Sequence, residues 1–254
     1  HFSGTFAPDF CIILHDLDLK QQGVIEDFQL LFYIIQPPTP ERVKYDIFDR
    51  VNRGGTPLNK QEMRNALYRG RCTRMLDKLC CSPEFLIATG RSINKERMKD
   101  QYVVLRAMAF LMLHRGEFKD IPALQYRGDI DDFLARFMVY VNDNAPEKLI
   151  VDYENLFIRC MQISYDLLGE NGFRFSGNGI RRPINMPLFE ALSYLFSFVP
   201  EKIDYTWASR LILDIESVKE EFDDSRYFSG NIDSTTSVSF RFDRMDKIIN
   251  RIQL

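Results

Sequence analysis

From Asn59 onward, apolar residues recur at the three- and four-residue spacing of an α-helix almost without interruption. That period is the strongest constraint on the fold, because such stripes must be buried against other elements. The longest example lies near 147–168. There Leu149, Tyr153, Leu156, Phe157, Cys160, Ser164 and Leu167 share one side, and Gly169 ends the run. Further helical patterns fall at 75–81, 97–113, 129–143, 185–198, 206–222 and 239–253, the fourth opened by Asn185 as cap with Pro187 in its first turn. The Gly/Ser/Asn-rich stretches 169–183 and 223–237 read as loops within one helical body.

The beginning of the chain differs. Residues 10–14 (FCIIL) and 30–36 (LLFYIIQ) are short apolar runs with strand character. PPTPE at 37–41 stops the second and starts a helix over 40–51, with Val43, Ile47, Phe48 and Val51 at helical spacing. Gly54-Gly55 ends it, and Asn59 opens the next helix as an N-cap with Glu62 three positions on. The expected fold class is mainly α: a multi-helix bundle with a small β remnant at the N-terminus. Segment 1–70 carries the glycine loop, and 71–254 forms a helical region packed with it.

Composition excludes several classes. With 254 residues, 45% hydrophobic and 27% charged, the chain can bury a substantial core. The net charge is −3, yet Lys60 to Arg106 holds eleven Lys/Arg against five Asp/Glu, or +6, leaving −9 elsewhere. Such a segment is either an anion-binding face or the solvated side of helices. The apolar run Val103–Leu113 is broken by Arg106 and too short to span a bilayer, so no membrane partner is expected. The five cysteines (Cys11, Cys72, Cys80, Cys81 and Cys160) show neither CxxC nor Cys/His metal spacing. Free thiols, no metal site and a reducing cytoplasm follow as expectations. The opening at His1 without Met reads as a fragment.

The loop Asn52-Arg53-Gly54-Gly55 carries the most specific chemistry. Adjacent glycines let successive backbone N–H groups converge on one point. The loop runs into the Asn59 helix, whose free N–H groups and dipole favour an anion. Arg50 and Arg53 add planar donors suited to phosphate, while Asn52 braces the loop or reads a base edge. The other reading is a plain C-cap and turn braced by Arg50 and Asn52. Arg97, Asp100 and Arg106 share a helix face or include an ordinary i,i+3 ion pair. Arg174, Arg181 and Arg182 form a basic rim or a solvated loop.

TPERVKYDIFDRVNRGGTPLNKQEMRNALY (39–68) resembles the second signature of the ParB/sulfiredoxin-like domain family of GmrSD- and SspE-type restriction and phage-defence proteins. The matching positions are Phe48, Arg50, Asn52, Gly54, Gly55, Gln61, Glu62 and Arg64, and RMKDQYVVLR (97–106) resembles the segment that follows. The resemblance implies phosphate or nucleotide binding by Arg50, Asn52, Arg53, Gly54, Gly55 and Arg64. It also implies a nucleoside triphosphate with Mg²⁺, or DNA, as ligand, and NTP-dependent nuclease activity for the family. The family's first signature, Asp-Gly-Gln-Gln-Arg, has no counterpart here, so no catalytic residue is assigned. Two other readings stand beside this one. One is a non-catalytic helical module that binds protein or DNA. The other is a divergent enzyme using Asp46 or Asp49 beside Arg50, which no triad or metal spacing supports.

Overall fold

The computed structural model describes residues 17–29, 57–176, 181–228 and 230–252, with isolated positions at 32, 34, 43, 46–48 and 50. The chain divides into two compact units, residues 1–47 and 48–254. In the first, α1 (Leu19–Glu26) begins with a capping box between Asp18 and Gln21 and buries none of its residues. The strand expected at 10–14 lies outside the described residues, as does 30–36 apart from 32 and 34. Of the helix expected at 40–51, the described positions 43, 46–48 and 50 are helical.

Among its described residues the second unit has helices and no strand, its α-helices being α2 (Lys60–Leu67), α3 (Arg71–Cys80), α4 (Pro83–Ala88), α5 (Lys99–His114), α6 (Ile130–Asp143), α7 (Glu147–Leu168), α8 (Met186–Phe196), α9 (Tyr205–Asp223) and α10 (Thr235–Ile252). The mainly α, multi-helix expectation holds.

Helices α5 and α8 form the centre. Residues 103–112 of α5 and 187–196 of α8 are buried on every side, the pattern of helices with no solvent face. They pack on each other; α3 and α2 flank α5, while α7 and α10 flank α8. Aromatic rings fill the joints. Phe85, Phe157 and Phe189 lie with centroids 6.2–6.3 Å apart, and Phe173 lies 4.3 Å from Phe189. Each such buried ring contributes about 1.5–3 kcal/mol relative to exposure.

Local signals explain most boundaries. Asn185 caps α8 through the Leu188 N–H with Pro187 in the first turn, and Asp204 caps α9. Three expectations need correction. The short α4 follows Ser82, which accepts the Phe85 N–H, and Pro83, yet the sequence reading passed over it. Helix α10 begins at Thr235 rather than 239, because Ser234 accepts the Ser237 N–H and opens the helix inside the presumed loop. Helix α5 begins at Lys99, not Arg97: Arg97 and Met98 take positive φ of 56° and 58° and kink the chain before the helix.

Candidate functional site

Of the residues singled out in the sequence, Asn52, Arg53, Gly54 and Gly55 lie outside the described residues, and Arg50 is helical and exposed. Arg64 is described in full, and the site is built around it.

The α2 start is a closed capping box. Asn59 Oδ1 accepts the N–H groups of Gln61 (2.8 Å) and Glu62 (2.9 Å), and Glu62 Oε2 accepts the Asn59 N–H (2.6 Å). This corrects the expectation of free N–H groups at that end: two first-turn donors are already used, and Glu62 adds negative charge there. Arg97 completes the arrangement. Its Nη2 donates to Glu62 Oε2 (3.0 Å) and to the Pro57 carbonyl (2.7 Å), while Asn59 Nδ2 donates to the Arg97 carbonyl (2.7 Å). The bonds from Arg97 and from the Asn59 backbone hold the Glu62 carboxyl below its usual value. The suggested Arg97–Asp100 ion pair is thus replaced by one to Glu62.

One turn further, Arg64 is 1% exposed. Its Nε donates to Gln61 Oε1 (3.0 Å) and its Nη1 to Asp131 Oδ1 (2.8 Å). The guanidinium lies over the Tyr102 ring, 5.2 Å from its centroid. Lys60 donates to the other Asp131 oxygen, so one carboxylate on α6 serves two cations on α2. Partial burial pushes the Asp131 carboxyl up; the hydrogen bonds and charges of Lys60 and Arg64 outweigh it and leave it below its ordinary value. Arg64 Nη2 is buried without a hydrogen-bond partner.

Tyr102 also meets Arg106, whose guanidinium lies 5.5 Å from the ring centroid and whose Nη1 donates to the tyrosine oxygen (3.1 Å). Arg106 belongs to a buried ion network. Its Nε donates to Glu190 and its Nη2 to Asp233 Oδ1 (2.6 Å), while Arg241 Nη2 reaches Glu190 Oε2 (3.0 Å). Glu190 and Arg241 are 0% exposed. Two carboxylates balance two guanidiniums, and every Arg106 nitrogen has a partner. Burial pushes the Arg106 guanidinium down, but Glu190 and Asp233 more than offset it, so the group stays protonated. This network ties α5, α8 and α10 together and engages every nitrogen of Arg106.

Arg174, Arg181 and Arg182 do not form a common basic rim. Arg174 is buried and donates to the Thr89 carbonyl (3.2 Å), the Glu170 carbonyl (3.2 Å), the Arg182 carbonyl and Ser92 Oγ. Arg181 pairs with Glu170 and Arg182 with Asp223.

Sequence reasoning did not single out Lys60, Asp131, Tyr102, Glu190, Asp233 or Arg241. Glu190 had a readable signal, a lone carboxylate inside the apolar NMPLFEAL. Cys72, Cys80, Cys81 and Cys160 are free thiols, and Cys11 lies outside the described residues. No described helix is long and apolar enough to cross a membrane. Comparison of the chain with protein-family models, with curated proteins and with solved structures finds no match.

Proposed function

We propose that this chain is the helical, second-signature portion of a ParB-like restriction or phage-defence protein, contributing phosphate contacts to a nucleotide or DNA. In this reading Arg50 and Arg53 supply charge, Asn52 fixes the loop, Gly54 and Gly55 admit the ligand to the backbone, and Arg64 adds a further cation held rigid on α2. The observation that carries it is the state of Arg64. The guanidinium is buried, held by Gln61, Asp131 and Tyr102, and keeps Nη2 without a partner. A rigidly held cation whose Nη2 is unpartnered, paired with a carboxylate that is a quarter exposed, suits exchange for another oxyanion. Since the Asn59 box uses two N–H groups of the α2 start, the phosphate contacts fall to side chains and the glycine loop.

A nucleoside triphosphate with Mg²⁺ is the ligand the resemblance implies. The described residues suit its phosphates rather than the metal, since no group of three His, Cys, Asp or Glu among them is placed to hold an ion. A reducing cytoplasmic setting accords with the free thiols. The test is titration of nucleoside triphosphates and short duplex DNA against wild type and Arg53→Ala. Loss of one charge-assisted bond, about 1.5–3 kcal/mol, weakens binding roughly 10- to 150-fold. Equal affinities leave the loop as a turn, and the chain as a helical interaction module.

A further inference from the structure

We infer that Lys60 and Arg64 form a subsite for one phosphoryl group, and that the Asp131 carboxylate is its resident occupant. The inference rests on the phosphate reading of this end of the chain and adds a second cation, a ligand class and an internal competitor.

The geometry is that of a filled anion site. Lys60 and Arg64 lie four apart on α2 and converge on one carboxylate, which gives one oxygen to each. The carboxylate comes from α6, 67 residues beyond Arg64. Arg64 cannot swing away to other partners. Gln61 Oε1 accepts from its Nε, Gln61 Nε2 is itself fixed on Asn65 Oδ1 (2.8 Å), and the Tyr102 ring lies against the guanidinium.

Two oxygens satisfy Lys60 and Arg64 Nη1, and Nη2 is left without an acceptor. A terminal phosphoryl group carries three oxygens on a tetrahedral centre, one more than the two that Asp131 gives to Lys60 and to Arg64 Nη1. The site is reachable: the Lys60 side chain is 68% exposed and that of Asp131 25%, with Arg64 forming the buried wall. Of the neighbouring acids, Asp132 on α6 is paired with Arg136, and Asp129, the cap before α6, accepts the N–H groups of Asp131 and Asp132. Asp131 is therefore the carboxylate an incoming phosphate must displace.

The probe is inorganic pyrophosphate, titrated calorimetrically in chloride buffer against the full chain, Asp131→Asn, and Asp131→Asn combined with Arg64→Gln. Asp131→Asn is expected to bind at least tenfold more tightly than wild type, and the double variant to lose that gain. No gain on removing the carboxylate, or a gain that survives loss of Arg64, overturns the subsite. Should Asp131→Asn unfold in chloride, phosphate is expected to restore its helical circular dichroism but not that of the double variant. Equal behaviour of the two variants in phosphate also overturns it. The Arg53→Ala titration with nucleoside triphosphate reads the loop separately. A pyrophosphate gain without an Arg53 effect supports the subsite and removes the loop reading, and the reverse pattern removes the subsite alone.

Discussion

Replacing Glu190 by Gln is the sharpest test of how the core is held. Glu190 sits between Arg106 and Arg241, all three being 1% exposed or less. After the change Arg106 keeps Asp233, through Nη2–Oδ1 at 2.6 Å and Nη1–Oδ2 at 3.3 Å. Arg241 is worse placed: it keeps the Ile232 carbonyl at 2.5 Å, and Asp233 acts on it through charge without a hydrogen bond of the kind Arg106 keeps. Removing one partner of a buried pair costs about 3–5 kcal/mol, because the remaining charge is stranded away from water. Gln still offers a carbonyl oxygen, so the low end, about 3 kcal/mol, is expected.

That is a large part of the roughly 5–15 kcal/mol by which domains are stable. With a urea m-value of about 2–3 kcal/mol/M, the midpoint falls by roughly 1–1.5 M. The control is Glu221→Gln, which breaks the Arg244–Glu221 pair, whose side chains are 31% and 39% exposed. That change should cost less than about 1 kcal/mol. Replacing Arg106, Glu190, Arg241 and Asp233 together by Met, Leu, Met and Asn should cost less than Glu190→Gln alone, since the whole network is removed and no charge is stranded. Urea unfolding followed by circular dichroism measures all of these. A Glu190→Gln cost no greater than that of Glu221→Gln refutes the stranded-charge argument.

Three further outcomes follow from single contacts. His114 stacks on Phe242 at 3.6 Å, and burial together with Arg241 lowers its imidazole to about 3. Because the unfolded chain, near 6.5, takes up the proton first, stability is fully present above about pH 6.5 and is lost as pH falls toward 3. His114→Leu should flatten the pH dependence of urea stability in that window by up to about 1.4 kcal/mol per pH unit, and an unchanged slope refutes the assignment. Gly70 has extended backbone (φ 174°), but a Cβ there would lie 2.6 Å from Asn142 Oδ1. Asn142 holds the Cys72 N–H and the Tyr68 carbonyl, each at 2.9 Å, so Gly70→Ala should cost about 1–2 kcal/mol in urea unfolding. Of the four described thiols Cys81 alone is exposed, and burial pushes those of Cys72, Cys80 and Cys160 up, the last to about 12. Among those four, a thiol-reactive dye should therefore label Cys81 rapidly in the native protein and the other three only on unfolding.

The helices were legible because their signals are local. The Asn59 box, the Asn185 cap and the stripe of 147–168 each lie within a few residues, and the structure keeps all three. The start of α10 was not, since Ser234 and the Thr/Ser residues after it have the composition of a loop as much as of a cap. The kink at Arg97 was hidden for a different reason. Left-handed backbone at two successive non-glycine residues has no sequence mark, and it is held by contacts with Pro57, Asn59 and Glu62. Charge pairing was the least readable. Arg106 meets Glu190 and Asp233 across 84 and 127 residues, distances at which spacing carries no information.

The buried arginines separate structural from ligand-facing cations. Arg106 has every nitrogen engaged, and Arg174 is spent on three carbonyls and a hydroxyl. Arg241 resembles Arg64 in one respect, a buried nitrogen (Nε) without a partner. An unmet donor therefore does not by itself define a site. The difference lies in the companions. Arg241 is 0% exposed and pairs with Glu190, also 0% exposed, so nothing from solvent can exchange with that carboxylate. Arg64 pairs with Asp131, a quarter exposed and shared with the exposed Lys60. Exchange of a carboxylate for another oxyanion needs both a spare donor and a route to water, and of these two arginines Arg64 has both.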